Sequence, residues 1–95
     1  MIRVVATFII DPEKVDQVIE IARELIEITR EEKGCVHYDL VQCVDQANQL
    51  TILEAWETQE ELDVHSASDH FARLVPQIAD ACLEPPAIVA NIQII

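Results

Sequence analysis

The spacing of apolar residues changes character along this chain, and each change marks an element. Ile2 to Ile10 (IRVVATFII) is a β-branched run with aliphatic residues on both alternating faces, the pattern of a strand covered on both sides. Asp11-Pro12 then opens a helix, with Asp11 as cap and Pro12 at the first helical position. Val15, Val18, Ile19, Ala22, Leu25, Ile26 and Ile28 follow at three- and four-residue spacing, and charged residues fill the opposite side. This predicts an amphipathic helix of about five turns, closed by Gly34 as a left-handed cap. Cys35 to Val44 alternates imperfectly and predicts a second strand, which polar residues 45–49 join as a hairpin to an antiparallel third strand, Leu50 to Glu57. Thr58 and Glu61 form a capping box for a short helix reaching about His65. Ser68 caps the next helix, with Phe71, Leu74, Val75, Ile78 and Ala79 inward; Pro76 is expected to kink or interrupt it. Glu84-Pro85-Pro86 stops that helix, and Ala87 to Ile95 predicts a fourth strand, again apolar on both faces.

The order β-α-β-β-α-β is the ferredoxin-like arrangement, an α+β fold with an antiparallel sheet and its helices on one face. A length of 95 residues fits one domain, 1–95. Helices on one face cannot cover strands that are greasy on both. Val5 and Ile9, and Ile88, Ile92 and Ile94 or their alternates, need a second cover. A second copy of the same sheet supplies it most simply, which predicts a homodimer with a closed, barrel-like interior.

Charge narrows the function. With 18 acidic and 6 basic residues the formal net charge is −12. Phosphate backbones and anionic membrane surfaces need basic patches, so neither nucleic acid nor membrane is an expected partner. A neutral or aromatic small molecule suits this field better. The single glycine, Gly34, excludes a glycine-rich phosphate loop. Cys35, Cys43 and Cys82 are odd in number and lack CxxC spacing, which argues against a disulfide framework or a zinc ribbon. No signal-peptide pattern and no stretch long enough to span a bilayer is evident, so a reduced, cytoplasmic protein is expected.

The candidate chemistry is concentrated between Leu50 and Phe71, which holds the only Trp and two of the three His. Period-2 alternation puts Glu54 and Trp56 on one strand face, and the helix that follows carries His65 back over that face. An indole, a carboxylate and an imidazole can thus surround one small cavity. Each has a plainer alternative. His65 can be a core histidine satisfied by a backbone carbonyl. Trp56 can be core packing or the flat wall of an aromatic pocket. Glu54, in a central strand, needs a partner or a raised pKa, and Arg3, Arg73 and His65 are the candidates. Tyr38 and His37 point to opposite faces of the second strand, and parity alone does not say which faces the cavity. His70 reads as a solvated surface histidine, and its five-residue offset from His65 is poor spacing for metal ligands on one helix face, so no metal is expected.

Three blocks carry a family resemblance: Glu32-Lys33-Gly34-Cys35 with Tyr38, then Glu54-Ala55-Trp56, then Leu62 and His65 followed by Ser68-Asp69-His70-Phe71. They are similar to the E-x-G-C-x-x-Y, E-x-W and L-x-x-H-x-x-S-x-H-F blocks of the antibiotic biosynthesis monooxygenase domain family. The resemblance covers nearly the whole chain and implies a dimeric α/β barrel with a pocket between sheet and helices. It implies oxidation of a small quinol or phenol by molecular oxygen, without metal, flavin or haem. It would make His65, Tyr38 and Glu54 catalytic, with Trp56 packed on the ring, His65 and Tyr38 at its oxygens, and Glu54 orienting His65; Phe71 and Arg73 would help to bind substrate. Haem-degrading relatives differ where it matters, since this chain has Ala6 or Thr7, His65 and Val75 where they carry Asn, Trp and a haem-ligating His. Relatives that isomerise a phosphorylated signal molecule share the outline, so an isomerase or a non-catalytic small-molecule binder is the alternative.

Overall fold

In a computed structural model that describes residues 1–95, alternation in β1 (Ile2–Ile9) decides how the sheet faces. Val4, Ala6 and Phe8 are buried beneath the helices, while Arg3, Val5, Thr7 and Ile9 take the other side. The remaining strands are β2 (Cys35–Gln42), β3 (Gln49–Trp56) and β4 (Ala87–Ile92), and the helices are α1 (Val15–Thr29), α2 (Gln59–Ser66) and α3 (Asp69–Asp80). The sheet order is β2-β3-β1-β4 with every neighbouring pair antiparallel. The predicted ferredoxin-like α+β fold is what forms, with one core cluster of 16 buried residues between the helices and the sheet. No helix is long and apolar enough to cross a membrane.

Local chemistry sets the element ends. The Asp11 carboxylate accepts from the Glu13 amide at 3.0 Å and caps a short 3-10 turn, Pro12–Lys14, that leads into α1. Thr58 and Ser68 cap α2 and α3 by accepting from the amides of Glu61 and Phe71. Three expectations need correction. α1 stops at Thr29 rather than at Gly34: Arg30 caps it with a helical backbone, and the amides of Glu31 and Glu32 bond only three residues back, to Ile28 and Thr29, while the Arg30 side chain donates to the Tyr38 carbonyl at 3.1 Å and to Asp39 at 2.9 Å. Gly34 instead takes φ +84° in the turn that enters β2. Ile28 is 37% exposed, and buried Thr29 takes the inward position beside it. α3 runs unbroken through Pro76, whose position on the exposed side means that no buried carbonyl loses its donor.

β4 differs from the other strands. Ile88, Ala90 and Ile92 lie opposite Ala6, Val4 and Ile2, on the helix side of the sheet, yet all six residues of the strand are exposed. The strand ends at Ile92, short of the expected Ile95, with one last bond from the Gln93 amide to the Met1 carbonyl at 3.0 Å, and the last residues are exposed. The helix-free face also carries apolar side chains in the open: Val5, Val41, Leu53 and Val89.

Candidate functional site

The site is assembled by β2, β3, the α1–β2 loop, α2 and the start of α3. β3 alternates Glu54 and Trp56 onto the helix face, as its spacing predicts. A bulge between Cys35 and His37 in β2 breaks strict alternation. It leaves Tyr38 opposite Glu54 and buried, with His37 exposed on the other side. The bulge explains why parity alone could not choose between Tyr38 and His37. The α2 cap orients the helix so that Leu62 and His65 face inward while Val64 faces solvent.

His65 is the centre of an aromatic cage. Its ring centroid lies 4.8 Å from that of Trp56, 5.2 Å from Tyr38 and 5.3 Å from Phe71. The side chain is 1% exposed. Its Nδ1 meets Glu32 Oε2 at 2.6 Å, and its Nε2 is buried with no partner. Burial lowers the pKa of His65, and the neighbouring Glu32 carboxylate opposes that shift. A neutral ring that donates Nδ1–H to Glu32 keeps a free lone pair on Nε2.

That ring borders a cavity of about 140 Å³ that also touches Tyr38, Glu54, Ser66 and Phe71, with Val4, Phe8, Ile52 and Ile78 among its apolar walls and Ile88 and Ala90 on the β4 side. The lining includes His65 but not Glu32, and Nε2 itself is closed off from water. Burial raises the pKa of Tyr38, and the charges of Glu54, Cys35 and Glu32 add to the shift, so this phenol stays protonated. Burial also raises the pKa of Glu54, partly offset by the hydrogen bond from Trp56 and reinforced by Glu32. The cavity is therefore bordered by an imidazole, a phenol and a carboxyl group inside an apolar wall.

His65, Tyr38, Glu54 and Phe71 come together as the sequence suggests. The other two expected site residues, Trp56 and Arg73, do not line the cavity. Trp56 is fully buried behind His65 and does not line the cavity; its Nε1 donates to Glu54 Oε1 at 2.9 Å. That bond answers what pairs with Glu54, and Glu32 is the carboxylate that holds His65 instead. Arg73 lies on the outer side of α3, where it binds Glu24 of α1 at 2.6 Å, and takes no part in the cavity. His70 is not a surface histidine: its side chain is 14% exposed, and Nε2 lies 3.0 Å from Glu32 Oε2 and 3.2 Å from Ser68 Oγ. Glu32 is the residue that sequence reasoning passed over. Its signal was present, as the acid of the E-x-G-C block.

Residues 1–77 match the family model described as antibiotic biosynthesis monooxygenase. A crystal structure of an antibiotic biosynthesis monooxygenase is 35% identical, covers 99% of each chain and superposes with a TM-score of 0.93. A conserved protein from Methanosarcina mazei Go1 is 36% identical over 95% of this chain and 89% of its own, also with a TM-score of 0.93. The uncharacterised protein sll1783 of Synechocystis is 27% identical over 79 residues, which is 83% of this chain and 54% of that relative. The chain thus spans about half the length of that curated relative.

Proposed function

This chain belongs to the antibiotic biosynthesis monooxygenase family, and from that premise we propose that it oxidises a small quinol or phenol with molecular oxygen, without metal, flavin or haem. The observation that carries this reading is the buried, unpartnered Nε2 of a His65 ring that borders an apolar cavity while Glu32 holds Nδ1. A hollow of about 140 Å³ suits a single aromatic ring, since an apolar cavity of about 150 Å³ holds benzene.

His65 Nε2 takes the proton of a ring hydroxyl, and Glu32 stabilises the imidazolium that forms. The resulting phenolate is electron-rich enough to reduce oxygen directly. For a quinol the balance closes without an outside reductant. One oxygen atom converts a ring C–H to C–OH, the other leaves as water, and the two quinol hydroxyls become carbonyls. Tyr38 donates to a ring oxygen, and Glu54, kept toward its neutral form by burial, serves the other oxygen. Trp56 backs the His65 ring and directs the Glu54 carboxyl rather than stacking on substrate.

The test is oxygen uptake by chelator-treated protein with a panel of one-ring quinols. His65→Ala is expected to lower kcat/KM by on the order of a hundredfold or more. An unchanged rate removes His65 from the chemistry. Ligand-induced thermal stabilisation with no oxygen uptake assigns a binder or an isomerase instead.

Two further readings accompany this one. The open apolar residues Val5, Val41, Leu53 and Val89 support a homodimer built through the helix-free face. The cysteines are free thiols, which supports a reducing, cytoplasmic setting.

A further inference from the structure

We propose that Glu32, His65 and His70 form a binding site for a divalent transition-metal cation. Each offers one donor atom, and the three atoms lie within 4.8 Å of one another. Glu32 Oε2 is the shared point, 2.6 Å from His65 Nδ1 and 3.0 Å from His70 Nε2. Metal–ligand bonds of about 2.0–2.1 Å put neighbouring tetrahedral ligands about 3.3 Å apart. Admitting an ion therefore needs His65 Nδ1 to retreat from Glu32 by about 0.7 Å and His70 Nε2 by about 0.3 Å, and the two imidazole nitrogens, within 4.8 Å of each other, to settle near the same spacing. The five-residue offset of His65 and His70 looked unfavourable only while both were imagined on one helix. They sit on two helices, α2 and α3, with the third donor arriving from the α1–β2 loop.

The donor set decides the class of ion. Two imidazole nitrogens and one carboxylate oxygen suit zinc, cobalt or nickel, whereas magnesium and calcium favour all-oxygen sites. Three protein ligands leave a fourth position for water. There is also a way in. A groove of about 550 Å³ is lined by Glu32, Glu57, Glu60 and Glu61, with Lys33 as its only basic residue. This acidic groove concentrates cations beside the one ligand that it shares with the cluster.

Occupancy has a consequence for the cavity, and that consequence, unlike the site itself, rests on the function proposed above. A cation on Nδ1 replaces the ring proton there, so a neutral His65 carries its proton on Nε2 instead. Nε2 then donates rather than accepts. The metal-bound protein is the one with its base switched off.

The test titrates the chelator-treated full chain with zinc chloride and cobalt chloride, followed by calorimetry and visible absorption. One ion per chain and the intense bands of four-coordinate cobalt are expected. Glu32→Gln and His70→Ala should each weaken zinc binding by at least on the order of tenfold, while His37→Ala, on the opposite sheet face, should not change it. Equal binding by all three variants, or no stoichiometric binding by the wild type, overturns the site. If a variant fails to fold, imidazole NMR of the wild type decides. Zinc should move the ring signals of His65 and His70 but not those of His37, and unmoved His65 and His70 signals overturn the proposal. Zinc binding without oxygen uptake by the free protein removes the oxygenase reading and leaves the metal site standing.

Discussion

Glu54 shows at the level of single residues how one neighbour sets a role. Its carboxyl is buried, and its partner is an indole N–H rather than a cation. Its pKa is raised, chiefly by burial. A carboxyl with a raised folded-state pKa holds its full stabilising contribution below the unfolded pKa and loses it as pH rises through the folded value. Glu54→Gln keeps an oxygen to accept from Trp56 and cannot ionise. The variant should therefore gain on the wild type as pH rises from about 4 to 7, a window that begins near the ordinary Glu pKa. Paired thermal melts across that window check it, and a constant difference would mean that Glu54 is not held toward its neutral form. The strand position of Glu54 was legible in the sequence because period 2 fixes its face. Its partner was not, since Trp56 lies two residues along the same face and no spacing rule predicts an indole reaching back to a carboxylate. Glu32 was harder to find for a different reason. It is one acid among 18, in a loop with no periodicity, and it meets His65 from 33 residues away.

Among the elements, caps and turns were the most legible features. Thr58, Ser68 and Asp11 each do what their side chains predict, because a cap involves residues only two or three apart. The end of α1 was misplaced because the left-handed glycine serves the turn into β2 and not the helix end, which tightens into three-residue turns after Thr29. Gly34 is nevertheless required. It adopts φ +84°, and a Cβ there would collide with the carboxylate of Glu61, the residue that completes the Thr58 cap. Gly34→Ala should destabilise the chain by about 1–2 kcal/mol from the left-handed backbone alone. Urea denaturation measures this. A neutral result would show that the turn relaxes to a backbone conformation that alanine accepts, with the flexible Glu61 side chain swinging aside. Pro76 was misjudged because the rule that proline interrupts a helix ignores which side of the helix faces water.

At the scale of the whole molecule, alternation and element order were enough to derive the sheet and its helix layer. The uncovered apolar residues of β1 and β4 were also foreseen, though Ile88 and Ile92 stand on the helix side, beyond the reach of the helices, rather than on the open face. If the helix-free face joins two copies, light scattering should give twice the chain mass of 10.7 kDa at micromolar concentration. Leu53→Lys, which sets a charge in the middle of that face, should shift the equilibrium to the single chain. A wild type that is already monomeric rules the association out. The cavity wall carries a related lesson. Ile88 and Ala90 border the hollow, yet they belong to the strand that the rest of the chain leaves bare. Whatever comes to rest along that strand also frames the doorway to His65. Dilution, crowding or a rival binding partner could then alter which molecules are admitted without touching a single catalytic atom.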